Sequence, residues 1–183
     1  MTTGGYQVNC GLVRDVRSAG SKVPIYFNSF VGPDELLRLL QAEEKRTQKK
    51  LAYNLVYTSV VPSFDDKSLP AVVEYRTAMD KYKPQTPRGD WQTAYTPSAN
   101  YSLDSLEGFI TAKTFLMVLE KAGRNVTRKS FYTTVESMGQ FDLGLGAPAE
   151  FSPTRHQALG KVWLFYATPS GWKPSESIAS TVE

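Results

Sequence analysis

Side chains able to do covalent or metal chemistry are few in this chain of 183 residues. The one histidine, His156, stands in a polar stretch, Glu150-Phe-Ser-Pro-Thr-Arg-His-Gln157, and the one cysteine is Cys10. A zinc site needs three or four Cys, His or acidic ligands at defined spacings, and none is set up. Cys10 and His156 would act as a nucleophile–base pair only if the fold joined them. No G-x-S-x-G elbow, Walker-type phosphate loop or G-x-G-x-x-G dinucleotide loop occurs. Gly144-Leu-Gly146 is too short for one. Asn125-Val-Thr127 has the form of a glycosylation acceptor but reads better as a helix cap. The expectation is a protein that is not an enzyme and uses no cofactor or metal.

What remains is binding chemistry at loop positions. Gly4-Gly5-Tyr6, Asn28-Ser29-Phe30 and Pro62-Ser63-Phe64 each follow or replace the end of an apolar run. In open parallel sheets, ligands bind beyond the carboxyl ends of strands, beside helix N-termini. An aromatic at such a rim covers a small solute, and a hydroxyl or a free helix N–H holds its charged end. Each residue alone is equally at home in an ordinary turn. Together they suggest a cleft.

The elements that must position these groups alternate. Asn9 to Ala19 reads as an amphipathic helix ended by Gly20, with Leu12, Val13, Val16 and Ala19 inward and Arg14, Asp15 and Arg17 outward. Lys22-Val-Pro-Ile-Tyr-Phe27 reads as a buried parallel strand. Pro33 opens a helix whose first turn carries Asp34 and Glu35, where acids suit the dipole. Leu51 to Val61 is the next strand, and a helix capped by Ser68 follows from Pro70 through Tyr82. This rhythm predicts a parallel sheet with right-handed crossovers. Lys83 to Asn100, with three prolines, interrupts it as a long loop.

The remainder holds a helix capped by Ser102 or Asp104 that runs to Ala122 before Gly123. Apolar around more than half its circumference, it is expected to be largely buried. Thr127 caps another helix through Met138. Phe141 to Pro148 reads as a glycine-rich turn, Lys161 to Ala167 as a strand, Gly171 to Pro174 as a turn, and residues 175–183 as a disordered tail.

Composition narrows the function classes. Apolar residues make up 41%, enough for a core, and the net charge is only +3. The run Glu43-Glu-Lys-Arg-Thr-Gln-Lys-Lys50 mixes signs and reads as a solvated helix end, so no nucleic-acid partner is expected. A single cysteine excludes an intrachain disulfide. No apolar run approaches the ~20 residues of a membrane span. Thr2 to Gln7 has neither the basic nor the apolar region of a signal peptide. Because Gly4-Gly5-Tyr6 is a strand-to-helix turn with no strand before it, the chain reads as the back portion of a larger α/β protein.

Four stretches in order resemble the type I periplasmic solute-binding proteins of ABC importers, the leucine/isoleucine/valine-binding class. They are Gly5-Tyr6 with Leu12-Val-Arg-Asp-Val-Arg-Ser-Ala-Gly20, then Val23-Pro-Ile-Tyr-Phe-Asn-Ser-Phe-Val-Gly32. Ser105-Leu-Glu-Gly-Phe-Ile-Thr-Ala-Lys-Thr-Phe-Leu116 follows with Leu119-Glu-Lys-Ala-Gly123. The last comprises Phe141-Asp-Leu-Gly, Phe151-Ser-Pro, His156-Gln and Lys161-Val-Trp-Leu.

The resemblance implies two parallel-sheet lobes of three-layer αβα type, incomplete here, that close on a branched-chain amino acid or a related small organic solute. It places residues 1–64 in the second lobe and 65–148 in the first, with 149–174 closing back to the second. It implies ligand contacts at Tyr6, Ser29, Phe30, Tyr101 and Leu103. It implies an inner-membrane ABC permease as partner and a periplasmic location for the parent protein. Amino-acid-binding relatives often carry an acid near Ser29 to pair with the ligand ammonium; its absence here leaves room for organic acids or amides. A chain holding one portion of the cleft is expected to bind weakly or not at all, and to associate with the missing lobe or with itself. The lack of an export signal gives a second reading, a cytoplasmic ligand-sensing module of the same fold.

Overall fold

The computed structural model describes residues 1–83 and 101–177. The predicted loop over 84–100 and the end of the predicted tail, 178–183, lie outside the described residues. The chain divides into two compact units, Met1–Ser63 with Val162–Glu183, and Phe64–Lys161.

The first unit is a four-stranded sheet with two helices. α1 spans Tyr6–Ser18, β1 Ile25–Phe27, α2 Pro33–Thr47, β2 Leu55–Ser59, β5 Trp163–Thr168 and β6 Gly171–Ser175, and a 3₁₀ turn over Ser29–Val31 joins β1 to α2. The sheet order is β1-β2-β5-β6. β1 and β2 are parallel, Phe27 opposite Tyr57. β5 runs antiparallel to both β2 and β6, Phe165 opposite Tyr57 and Ala167 opposite Trp172. The sheet is therefore mixed, with its parallel part where the βα alternation predicted it. Thr2 adds a single parallel bridge to Phe27. Val13, Phe27, Leu36, Leu40, Leu55, Tyr57 and Phe165 are at most 2% exposed and form the core of this unit.

Three readings of this half need correction. Residues 171–174 are not a turn but the body of edge strand β6. Gly171 and Pro174 mimic turn chemistry, yet an edge strand tolerates proline because one side of it needs no ladder donor. Trp172 pins the strand by donating its indole N–H to the Pro33 carbonyl at 2.8 Å. On α1, Arg17 is buried and Leu12 is 40% exposed, the reverse of the predicted faces. The buried line is Asn9, Val13 and Arg17, one residue per turn at i, i+4 and i+8. The strands are shorter than the apolar runs that announce them.

Among its described residues the second unit has three helices and one hairpin. α3 spans Pro70–Tyr82, α4 Leu103–Ala122 and α5 Arg128–Glu136; β3 (Gly139–Asp142) and β4 (Pro148–Phe151) pair antiparallel. The glycine-rich turn predicted over 141–148 thus includes strand residues at both ends. Ser102 caps α4 and Thr127 caps α5, each in a reciprocal box with the serine three residues on. Ser68 does not cap α3. The N-cap is Leu69, and the Ala71 N–H is satisfied by the Gly144 carbonyl at 3.1 Å, so the hairpin supplies the cap from a distance in sequence. α4 is less buried than its composition predicts. Leu103, Leu106, Ile110 and Val118 are covered, whereas Phe115 and Leu116 are 50% and 62% exposed.

Candidate functional site

The predicted contacts at Tyr6, Ser29 and Phe30 all fall in the first unit, and local chemistry explains their placement. Tyr6 is the first residue of α1, not a residue of the turn before it. Gly4, at φ +132°, makes the bend that an L side chain would strain. Asn28 caps the 3₁₀ turn by accepting the Phe30 N–H at 3.3 Å. The turn ends at Gly32, φ +67°, which is also the N-cap of α2. The structure brings the two stretches together there: a Cβ on Gly32 would stand 3.1 Å from Tyr6 Cδ1, so the tyrosine ring rests on bare glycine backbone. Ser29 is half-buried in the turn, and the ring of Phe30 is 81% exposed. The Gly5 N-cap of α1 provides no side-chain cap. The rim therefore offers two aromatic rings, a hydroxyl and the dipole of a helix start, a set suited to an apolar solute with an anionic end.

Tyr101 and Leu103 fall in the second unit. Tyr101 is held by several neighbours. Its hydroxyl donates to Asp80, which together with burial raises it above the usual tyrosine range. The Arg76 guanidinium lies 4.1 Å from its ring centroid and also bonds the Phe64 carbonyl and Asp65. Tyr75 meets it edge-on at 6.0 Å. Leu103, the first residue of α4, is 3% exposed. Phe64, from the third rim segment named in the sequence, packs 6.5 Å from Tyr101.

Neither unit by itself holds both Cys10 and His156. Cys10 is half-buried on α1, where burial and then Glu43 raise its thiol and Arg14 partly offsets them. His156 lies in an exposed loop with Nε2 3.5 Å from Glu136 Oε1. Among the described residues no three Cys, His or acidic side chains gather to hold a metal ion, and no helix is long and apolar enough to cross a membrane. Sequence reasoning missed Asn9, a fully buried polar residue of α1. Its signal was a polar side chain one turn before Val13 on the apolar face. Also missed was an open cleft of about 600 Å³ between the start of α3 and the hairpin, lined by Ser68, Gln140, Phe141 and Asp142 among others.

A sheet with helix starts at its rim is the arrangement in which open α/β folds bind ligands beyond their strand ends. The sequence model described as periplasmic binding protein matches residues 7–171. A possible leucine/isoleucine/valine-binding protein from Rhodopirellula baltica SH 1 is similar at 32% identity with a TM-score of 0.79, over 98% of this chain and 42% of that one. Two further structures share the fold. One is a fatty acid ABC transporter substrate-binding protein from Thermomonospora curvata (22% identity, TM-score 0.68, 99% of this chain and 44% of that). The other is a branched chain amino acid ABC transporter protein from Thermus thermophilus with bound valine (15%, 0.59, 91% and 41%). No curated protein matches the sequence. The chain belongs to the periplasmic binding protein family. It spans about two fifths of the length of these relatives.

Proposed function

We propose that this chain supplies part of a solute-binding component of an ABC-type importer, taking a branched-chain amino acid or a related small organic solute. The observation that carries the reading is the family match over residues 7–171, joined to 32% identity with the Rhodopirellula baltica protein along nearly the whole chain. In this reading Tyr6, Ser29 and Phe30 are the solute contacts of the second lobe, and Tyr101 and Leu103 those of the first. In this reading the unit Met1–Ser63 with Val162–Glu183 is the second lobe and Phe64–Lys161 the first, so residues 149–161, expected to close back to the second lobe, go with the first. The partner is an inner-membrane permease and the compartment of the parent protein is the periplasm. The role is binding rather than catalysis.

A site of this kind covers ~70–90% of its ligand, and a chain two fifths as long as its relatives supplies part of that cover. Binding by the 183-residue chain is therefore weak. The test is a titration followed by NMR, with leucine, valine and isovalerate at millimolar concentration. Shifts at Gly4–Tyr6 and Ser29–Gly32, or at Tyr101–Leu103, are expected. Shifts confined to other segments, or none with any of the three, overturn the reading. Micromolar affinity overturns the account of an incomplete site.

A further inference from the structure

Asn9 is the fourth residue of α1 and is 0% exposed. A helical side chain leans toward the N-terminus, so an amide placed here reaches back over the turn that starts the helix. Its Nδ2 donates to the Gly4 carbonyl at 2.7 Å and to the Gly5 carbonyl at 3.1 Å. Its Oδ1 accepts the Thr2 hydroxyl at 2.9 Å, and the Thr2 N–H in turn donates to the Tyr26 carbonyl at 2.9 Å. Two carbonyl acceptors on one side and a hydroxyl donor on the other fix which way the amide faces. One side chain thus ties the strand edge, the Gly4 bend and the N-cap carbonyl into a single unit, immediately before Tyr6.

We propose that Asn9 is the positioning residue of the turn that presents Tyr6 to solute, an inference that rests on the reading of Tyr6 as a solute contact. The Asn9 side chain turns the Gly4 carbonyl oxygen inward; the Gly5 carbonyl also takes the Asn9 backbone N–H at 3.2 Å, a bond any residue here would make, so the side chain's distinctive work is at Gly4. The first-turn N–H groups of α1 and the Tyr6 ring are then left as the outward face. A carbonyl oxygen swung outward would repel the anionic end of a solute, and the ring would lose its seat on Gly32. No aliphatic residue reproduces this, because the two donors and one acceptor must come from one short planar group. Aspartate offers acceptors only and would set a carboxylate against two carbonyls.

The test uses the 183-residue chain with labelled tyrosine and leucine as the probe. It compares Asn9→Ala, Asn9→Asp and Thr2→Val at a temperature where each is folded. The local readouts are the cross-relaxation between the Tyr6 ring and Gly32 and the leucine-induced shifts at Gly4–Tyr6, which a residue that only stabilises the fold would leave unchanged. Both Asn9 variants are expected to lose the ring–Gly32 signal and to weaken leucine binding by roughly tenfold or more. Thr2→Val, which frees only the Oδ1 side, is expected to weaken both in part, and it decides the matter should neither Asn9 variant fold. An unchanged ring–Gly32 signal in the folded variants overturns the positioning role, whatever leucine does. Asn9-dependent ring geometry with no leucine-induced shift in the unsubstituted chain overturns the solute reading instead, and with it the solute half of this inference.

Discussion

Replacing Arg17 by methionine tests how the first unit is held together. Arg17 is 7% exposed, and among the described residues its guanidinium bonds carbonyl oxygens rather than a carboxylate. Nη1 donates to the Ser21 carbonyl at 3.0 Å and the Val23 carbonyl at 2.9 Å, and Nη2 to the Tyr53 carbonyl at 2.8 Å. The guanidinium also lies 4.3 Å from the Tyr53 ring centroid. These contacts join the end of α1, the chain entering β1 and the chain entering β2. Each hydrogen bond from a charged donor contributes ~1.5–3 kcal/mol. Three of them are offset by removing the cation from water, a cost visible as the depressed basicity of Arg17, and by Nε, which is buried without a partner. Ser21, Val23 and Tyr53 are not fully buried, so water can serve their carbonyls in the variant. The net loss for Arg17→Met is therefore about 2–4 kcal/mol. Urea unfolding followed by tryptophan fluorescence measures it, because Trp163 and Trp172 both report on this unit. Arg17→Lys keeps the charge but not the fork, and is expected to recover less than half of the loss. A methionine variant within about 0.5 kcal/mol of the parent would refute the account, since surface substitutions alone fall in that range.

Other consequences are equally direct. Gly144→Ala places a Cβ 2.9 Å from the Ala71 nitrogen at φ +76°, so it should break the hairpin's cap on α3 and cost ~2 kcal/mol or more, read by thermal unfolding. Gly32→Ala sets a Cβ 3.1 Å from the Tyr6 ring at φ +67°, and is expected to displace that ring, seen as a changed Tyr6 NMR environment. The raised thiol of Cys10 leaves less thiolate at pH 8 than a free cysteine has, so its reaction with a disulfide reagent should be slower and should keep accelerating at higher pH. Leu116→Lys, at a position 62% exposed on α4, should change stability by less than ~0.5 kcal/mol while raising the monomer fraction in light scattering.

Much of the architecture was legible because it is local. Ser102 and Thr127 each precede their helices with a serine three residues on, and both boxes form. The βα alternation announced the parallel pair β1–β2, and apolar β-rich runs announced β2 and β5. What failed was decided at long range. Ser68 looked like a cap, but the cap of α3 comes from Gly144, more than seventy residues on. β6 looked like a turn because it opens with glycine and carries a proline, until pairing with β5 and the Trp172–Pro33 bond made it a strand.

The candidate site divides in the same way. The sequence by itself determined the family, the residue types at the rim, and the glycines that only a bend or a close approach can use. Those depend on backbone freedom and side-chain chemistry, which each residue carries with it. Only the tertiary structure decided that Tyr6 rests on Gly32, that Tyr101 is clamped by Arg76 and Asp80, and that Asn9 and Arg17 turn inward. A polar side chain is buried when enough partners converge on it, and those partners, from Thr2 to Tyr53, are assembled by the fold rather than by sequence neighbours.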